Sequence, residues 1–94
     1  YGTDAYYTEH PVVSEALADF FIQRKIKILG MDLPSPDSYP FTIHKKLFYS
    51  DILIIENLTN LGRLAGHKKI RIIALPLKIR AEASMARVIA CIDD

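Results

Sequence analysis

One cysteine, four glycines, no cluster of like charge and no long apolar run mark what this 94-residue sequence has little of. The single Cys91 cannot form an internal disulfide, and with Ile89, Ala90 and Ile92 beside it the thiol reads as a small core hydrophobe, in keeping with a reducing cytoplasm. No glycine-rich turn joins a strand to a helix, so a nucleotide-binding half-domain has little support. Twelve Lys and Arg are scattered among eleven acids for a net charge of +1, which leaves no basic face for a phosphate backbone and argues against nucleic acid as a partner. The apolar runs at residues 52–55 and 72–75 fall far short of the roughly 20 residues that cross a bilayer, so no membrane span is expected. No signal-peptide arrangement is present, yet the chain opens on Tyr1 instead of Met, and further sequence upstream is expected.

What is present fits one small globular domain, at 50% hydrophobic and 24% charged residues. Residues 1–10 are aromatic and polar with neither the helical nor the strand period. Pro11 and Ser14 then announce a helix, with Ser14 as N-cap, Glu15 in the first turn and an end near Lys25. Its apolar stripe is read as Leu17, Phe20, Phe21 and the stem of Arg24, leaving Glu15, Asp19 and Gln23 to water. A strand over residues 26–31 leads into an ordered loop over 32–40 that carries three prolines and is long enough to be functional. A short helix over 42–50, capped by Thr42 with Leu47 and Phe48 inward, precedes a strand over 52–55. A turn and short helix end at Gly66, a long strand over 69–79 is interrupted at Pro76, and a last strand covers 87–92.

This alternation predicts an α/β architecture, a mixed sheet with helices and at least some parallel pairing. The runs Ile52, Leu53, Ile54, Ile55 and Ile72, Ile73, Ala74, Leu75 are apolar on both faces, and three short helices cannot cover all of them. A layer is therefore expected from elsewhere, either an N-terminal half missing from this sequence or another subunit in a homo-oligomer.

Glu56 is the most informative single position, a carboxylate directly after four apolar strand residues, where burial demands a cation or hydrogen-bond donors. It stands at the carboxyl end of a strand, where ligand crevices form in α/β sheets. A helix running antiparallel to that strand brings its N-terminus to the same edge, and with it His44. If the first strand is parallel to the second, Asp32, Ser35 and Asp37 reach that edge too. Imidazole plus carboxylate is a ligand pair for a divalent metal, zinc or manganese, although two ligands are too few for a catalytic site. Other partners stay open on spacing alone: Glu56 could pair with Lys45 or Arg63, and His44 could simply start a helix. His10 and His67 read as loop or turn histidines, and Tyr6, Tyr7 and Tyr39 as packing aromatics that could line a pocket.

Taken together, Asp4-Ala5-Tyr6-Tyr7, His10-Pro11, Gly30-Met31-Asp32-Leu33-Pro34-Ser35-Pro36-Asp37, His44-Lys45, Ile55-Glu56-Asn57-Leu58 and Ala74-Leu75-Pro76-Leu77-Lys78 resemble the cyclase family, which includes kynurenine formamidases and isatin hydrolases. The resemblance runs along most of the chain. Its most specific parts are the Gly-x-Asp-x-Pro-Ser-x-Asp loop and the histidine twelve residues before Glu-Asn-Leu. It implies that His44 and Glu56 are the late metal ligands of a metal-dependent amide hydrolase acting through activated water on a small amide or cyclic amide. It also implies that this chain is an incomplete, C-terminal part of a swivelling β/β/α-like domain. The family's N-terminal His-x-Gly-Thr-His-x-Asp-x-Pro-x-His motif is absent, so no residue here takes the proton-transfer role and this chain alone is expected to be inactive. Asp32, Ser35 and Asp37 would shape the loop or the substrate pocket. A reading from another class, a non-catalytic module docking through its uncovered sheet, stands beside it.

Overall fold

A computed structural model describes residues 4–93. The chain divides into two compact units, one ending at Thr59 and one beginning at Asn60. Helices accompany two small sheets, a mixed α/β arrangement. The sheets are separate and two-stranded, one parallel and one antiparallel, where the sequence reading expected a single mixed sheet. Among the described residues no helix is long and apolar enough to cross a membrane.

In the first unit, helix α1 (Asp4–Thr8) occupies a stretch in which no period was legible, because five residues are too few to show one. Helix α2 (Glu15–Gln23) starts where its cap predicts: Ser14 is extended and its hydroxyl accepts from the Leu17 N–H at 3.1 Å. It ends in a Schellman motif. The Lys25 N–H bonds the Ile22 carbonyl, the Ile26 N–H bonds the Phe21 carbonyl, and Lys25 takes a left-handed φ of 55°. Lysine pays a Cβ clash at that position that glycine would not. Lys25→Gly should therefore raise stability by about 0.5–1 kcal/mol, readable as a higher urea midpoint with unchanged slope.

Strands β1 (Ile28–Gly30) and β2 (Leu53–Ile55) pair in parallel, with Ile28 opposite Leu53 and Gly30 opposite Ile55. The Met31 N–H continues the pairing to the Ile55 carbonyl, so both strands end at the same edge. Gly30 is closely approached there: a Cβ would meet Leu58 Cδ1 at 3.0 Å, and that side chain would have to give. Between the strands runs helix α3 (Thr42–Tyr49). Ala18 of α2, Ile43 and Leu47 of α3, and Ile52 form the buried core, with Val13, Phe21, Ile22, Ile26, Leu29 and Ile54 packed around them. A pair at the surface, half-buried Lys46 Nζ to exposed Asp19 Oδ1 at 2.6 Å, links α3 to α2, and that hydrogen bond holds the ammonium above the usual lysine range.

Three inward assignments need correction. Leu17 and Phe20 of the expected α2 stripe are 42% and 51% exposed, and the face that packs is Ala18, Phe21 and Ile22. Phe20 instead carries the Arg24 guanidinium over its ring at 5.5 Å. Phe48 is 52% exposed, because Ile43 and Leu47, four apart, take the core side of α3 and turn the next stripe outward.

The second unit holds a 3-10 turn, Leu61–Leu64, followed by Gly66 at φ 84°, and a hairpin of β3 (Ile70–Pro76) and β4 (Ala86–Ile92). Pro76 closes β3, opposite Ala86, and does not interrupt it. Directly opposed residues share a face, so Ile70, Ile72, Ala74 and Pro76 line one side with Ile92, Ala90, Val88 and Ala86. Ile72, Leu75, Ile89 and Ile92 are all substantially exposed, and Cys91 is half-buried beside Arg71 and lies outside the core cluster. A two-stranded ribbon with this much exposed apolar surface is marginal in water.

Candidate functional site

The parallel pairing of β1 and β2 delivers Glu56 at the sheet's carboxyl edge, and α3 returns to that edge at its N-terminus. With Ile43 locked in the core, His44 sits one residue further round the helix and projects beside the sheet. Its Nε2 lies 3.2 Å from Glu56 Oε1, and its Nδ1 lies 2.5 Å from Asp37 Oδ1. Three titratable groups thus form a line, Asp37 to His44 to Glu56. Burial rises inward along it: Glu56 is 32% exposed at its side chain, His44 22% and Asp37 9%.

Asp37 does more than touch the imidazole. Its Oδ2 accepts from the Ile43 N–H at 2.6 Å and from the His44 N–H at 3.4 Å. These are first-turn donors of α3 that have no partner within the helix. Thr42 was the expected cap, but the cap position is Phe41, whose side chain makes no capping bond. The buried carboxylate reaching in from the loop does that work and is itself favoured by the helix N-terminus. Ser35 stands one step behind, its hydroxyl donating to the Asp37 carbonyl at 2.5 Å and accepting from the Asp37 N–H at 3.2 Å. Asp32 is exposed after β1 and joins none of these contacts. Of the five polar residues expected at this edge, the structure gathers Asp37, His44 and Glu56, braces them with Ser35 and leaves Asp32 outside.

The sequence reading offered Tyr39 as a pocket aromatic but missed Phe41 and the packing of Phe48 against His44. Phe41 packs edge-on against His44 at 5.6 Å, Phe48 tilts against it at 5.9 Å, and Tyr39 meets Phe41 at 6.0 Å. The spacing of three and four residues on α3 was the available signal. Phe41 also holds a left-handed φ of 63°, a conformation that costs an L-residue roughly 1–2 kcal/mol. At the residue after Glu56, the Tyr6 hydroxyl donates to Asn57 Oδ1 at 2.7 Å, tying α1 to the loop that follows β2. His10 makes a local contact to the Pro11 carbonyl.

Chemically, the line of three poses a charge problem. A carboxylate only accepts, so in a neutral ring bonded to Asp37 the hydrogen would sit on Nδ1 and the lone pair on Nε2. Nε2 then faces a second carboxylate, and two acceptors 3.2 Å apart attract each other only through a proton or a cation. Two ligands bound at about 2.0–2.2 Å to a tetrahedral ion stand about 3.3 Å from each other, so the observed separation fits adjacent metal ligands. No group of three or more His, Cys, Asp or Glu side chains arranged to hold a metal occurs among the described residues. Any such ion would need further ligands from outside them.

No known family model matches the chain, and no solved structure matches it. An uncharacterized protein of Methanocaldococcus jannaschii is 39% identical over 92 residues, covering 96% of this chain and 47% of that protein. The chain therefore spans about half the length of the curated relative it matches.

Proposed function

We propose that this chain contributes two ligands, His44 Nε2 and Glu56 Oε1, to a divalent-metal site in a cyclase-family, kynurenine formamidase-like amide hydrolase. The observation that carries the reading is the 3.2 Å approach of His44 Nε2 to Glu56 Oε1, with the imidazole's other nitrogen against Asp37. A zinc or manganese ion held there would supply Lewis-acid polarisation of an amide carbonyl and a water nucleophile at neutral pH. The chain's own residues bind and orient: Asp37 and the packing of α3 fix the imidazole, and Phe41, Phe48 and Tyr39 offer an aromatic margin to a small, ring-bearing amide. The remaining ligands and the proton-transfer group belong to a further segment or subunit, in keeping with a relative about twice as long. Such a partner, in a cytoplasmic homo-oligomer, would also cover the exposed hairpin.

Zinc titration of the protein followed by NMR at His44 tests this. Saturable shifts of the His44 ring and of residues near Glu56 are expected, with weak affinity because two protein ligands are fewer than the three of catalytic zinc sites. Unshifted His44 signals at millimolar zinc and manganese would remove the metal reading. The exposed apolar faces of β3 and β4 favour a second reading, a non-catalytic docking module, which predicts that same silence.

A further inference from the structure

We propose that Asp37 is the positioning residue of this site: a single buried carboxylate that holds His44 in the Nδ1–H tautomer and so aims the Nε2 lone pair at Glu56. The division of labour between its two oxygens carries the inference. Oδ2 is committed to the backbone N–H groups of Ile43 and His44, and Oδ1 to His44 Nδ1. The rings of Phe41 and Phe48 flank the imidazole and offer no lone pair to compete for its hydrogen. Ser35 fixes the Asp37 backbone from behind, and Ile43, anchored in the core, fixes the helix that presents His44. Loop and helix are thus joined through the same side chain that sets the imidazole's hydrogen. A carboxylate bonded to the remote nitrogen of a ligating histidine is a recurrent way to fix ring and tautomer. The functional meaning rests on the metal reading of His44 and Glu56, whereas the tautomer itself does not.

Asp37→Asn separates the two roles. The helix N-terminus still needs an acceptor, so the amide oxygen takes the place of Oδ2 at the Ile43 N–H and the –NH2 takes the place of Oδ1. It then donates to His44 Nδ1, which transfers the ring hydrogen to Nε2 and closes the ligand position toward Glu56. Long-range 1H–15N spectra of the metal-free protein in mildly alkaline buffer read this directly. The parent ring should carry its hydrogen on Nδ1 and the variant on Nε2, with the fold retained. Zinc affinity should fall by about 10–100-fold, the usual cost of losing an outer-shell partner. A parent ring with hydrogen on Nε2, or a variant that keeps it on Nδ1, overturns the proposal, and the parent spectrum decides even if the variant does not fold. An inverted tautomer with undiminished zinc affinity overturns the link from Asp37 to the metal. An inverted tautomer in a protein whose parent binds no zinc upholds the positioning role and overturns the metal reading alone.

Discussion

Glu56→Gln is expected to weaken zinc binding by at least about 100-fold while leaving the fold intact, a larger loss than an outer-shell substitution causes. Glutamine keeps the length of the side chain and can donate its amide hydrogen to an unprotonated His44 Nε2, so the contact is kept as an ordinary neutral hydrogen bond. Stability should be unchanged or slightly improved for that reason. His44→Ala removes the other ligand with the same consequence for zinc, but it leaves Asp37 Oδ1 without its partner and should cost stability as well. The two variants therefore share one effect and differ in the other. Isothermal titration with zinc alongside urea unfolding measures both quantities. Affinities within about threefold of the parent in both variants would show that neither side chain holds the ion, since a lost ligand costs far more.

Legibility followed distance along the chain. Ser14 was readable as a cap because its acceptor bond closes three residues later, within the window that local chemistry governs. The meeting of His44 and Glu56 was readable because it needs only chain direction: a parallel strand pair and one returning helix. Asp37 was placed at the right edge, yet its dual role depends on a loop bending back six and seven residues to the first turn of α3, and no period encodes that path. The α2 stripe failed for a different reason. Leu17 and Phe20 form an apolar face as good as the one containing Ala18 and Phe21, and which face is buried depends on the layers present to meet it. Phe48 is exposed through the same indeterminacy.

Leu47→Ala should be the most damaging single change to stability, at about 3–4 kcal/mol. Leu47 is fully buried, and it joins Ala18, Ile43 and Ile52 in the core cluster of the described residues. A fully buried leucine whose space is only partly refilled costs an amount in the upper part of the large-to-small range. Domains of this size hold only about 5–15 kcal/mol in reserve, so the loss is a large fraction of the whole. The consequence reaches the site, because Leu47 and Ile43 on one side of α3 are what hold His44 in register with Glu56 on the adjacent side. Urea unfolding should show a midpoint far below the parent's, and the His44 ring signals should broaden before the global transition as α3 loosens on the sheet. A loss under about 1 kcal/mol, below the range for a buried leucine, would mean that α3 is held by something other than this core, and that His44 owes its position to Asp37 alone.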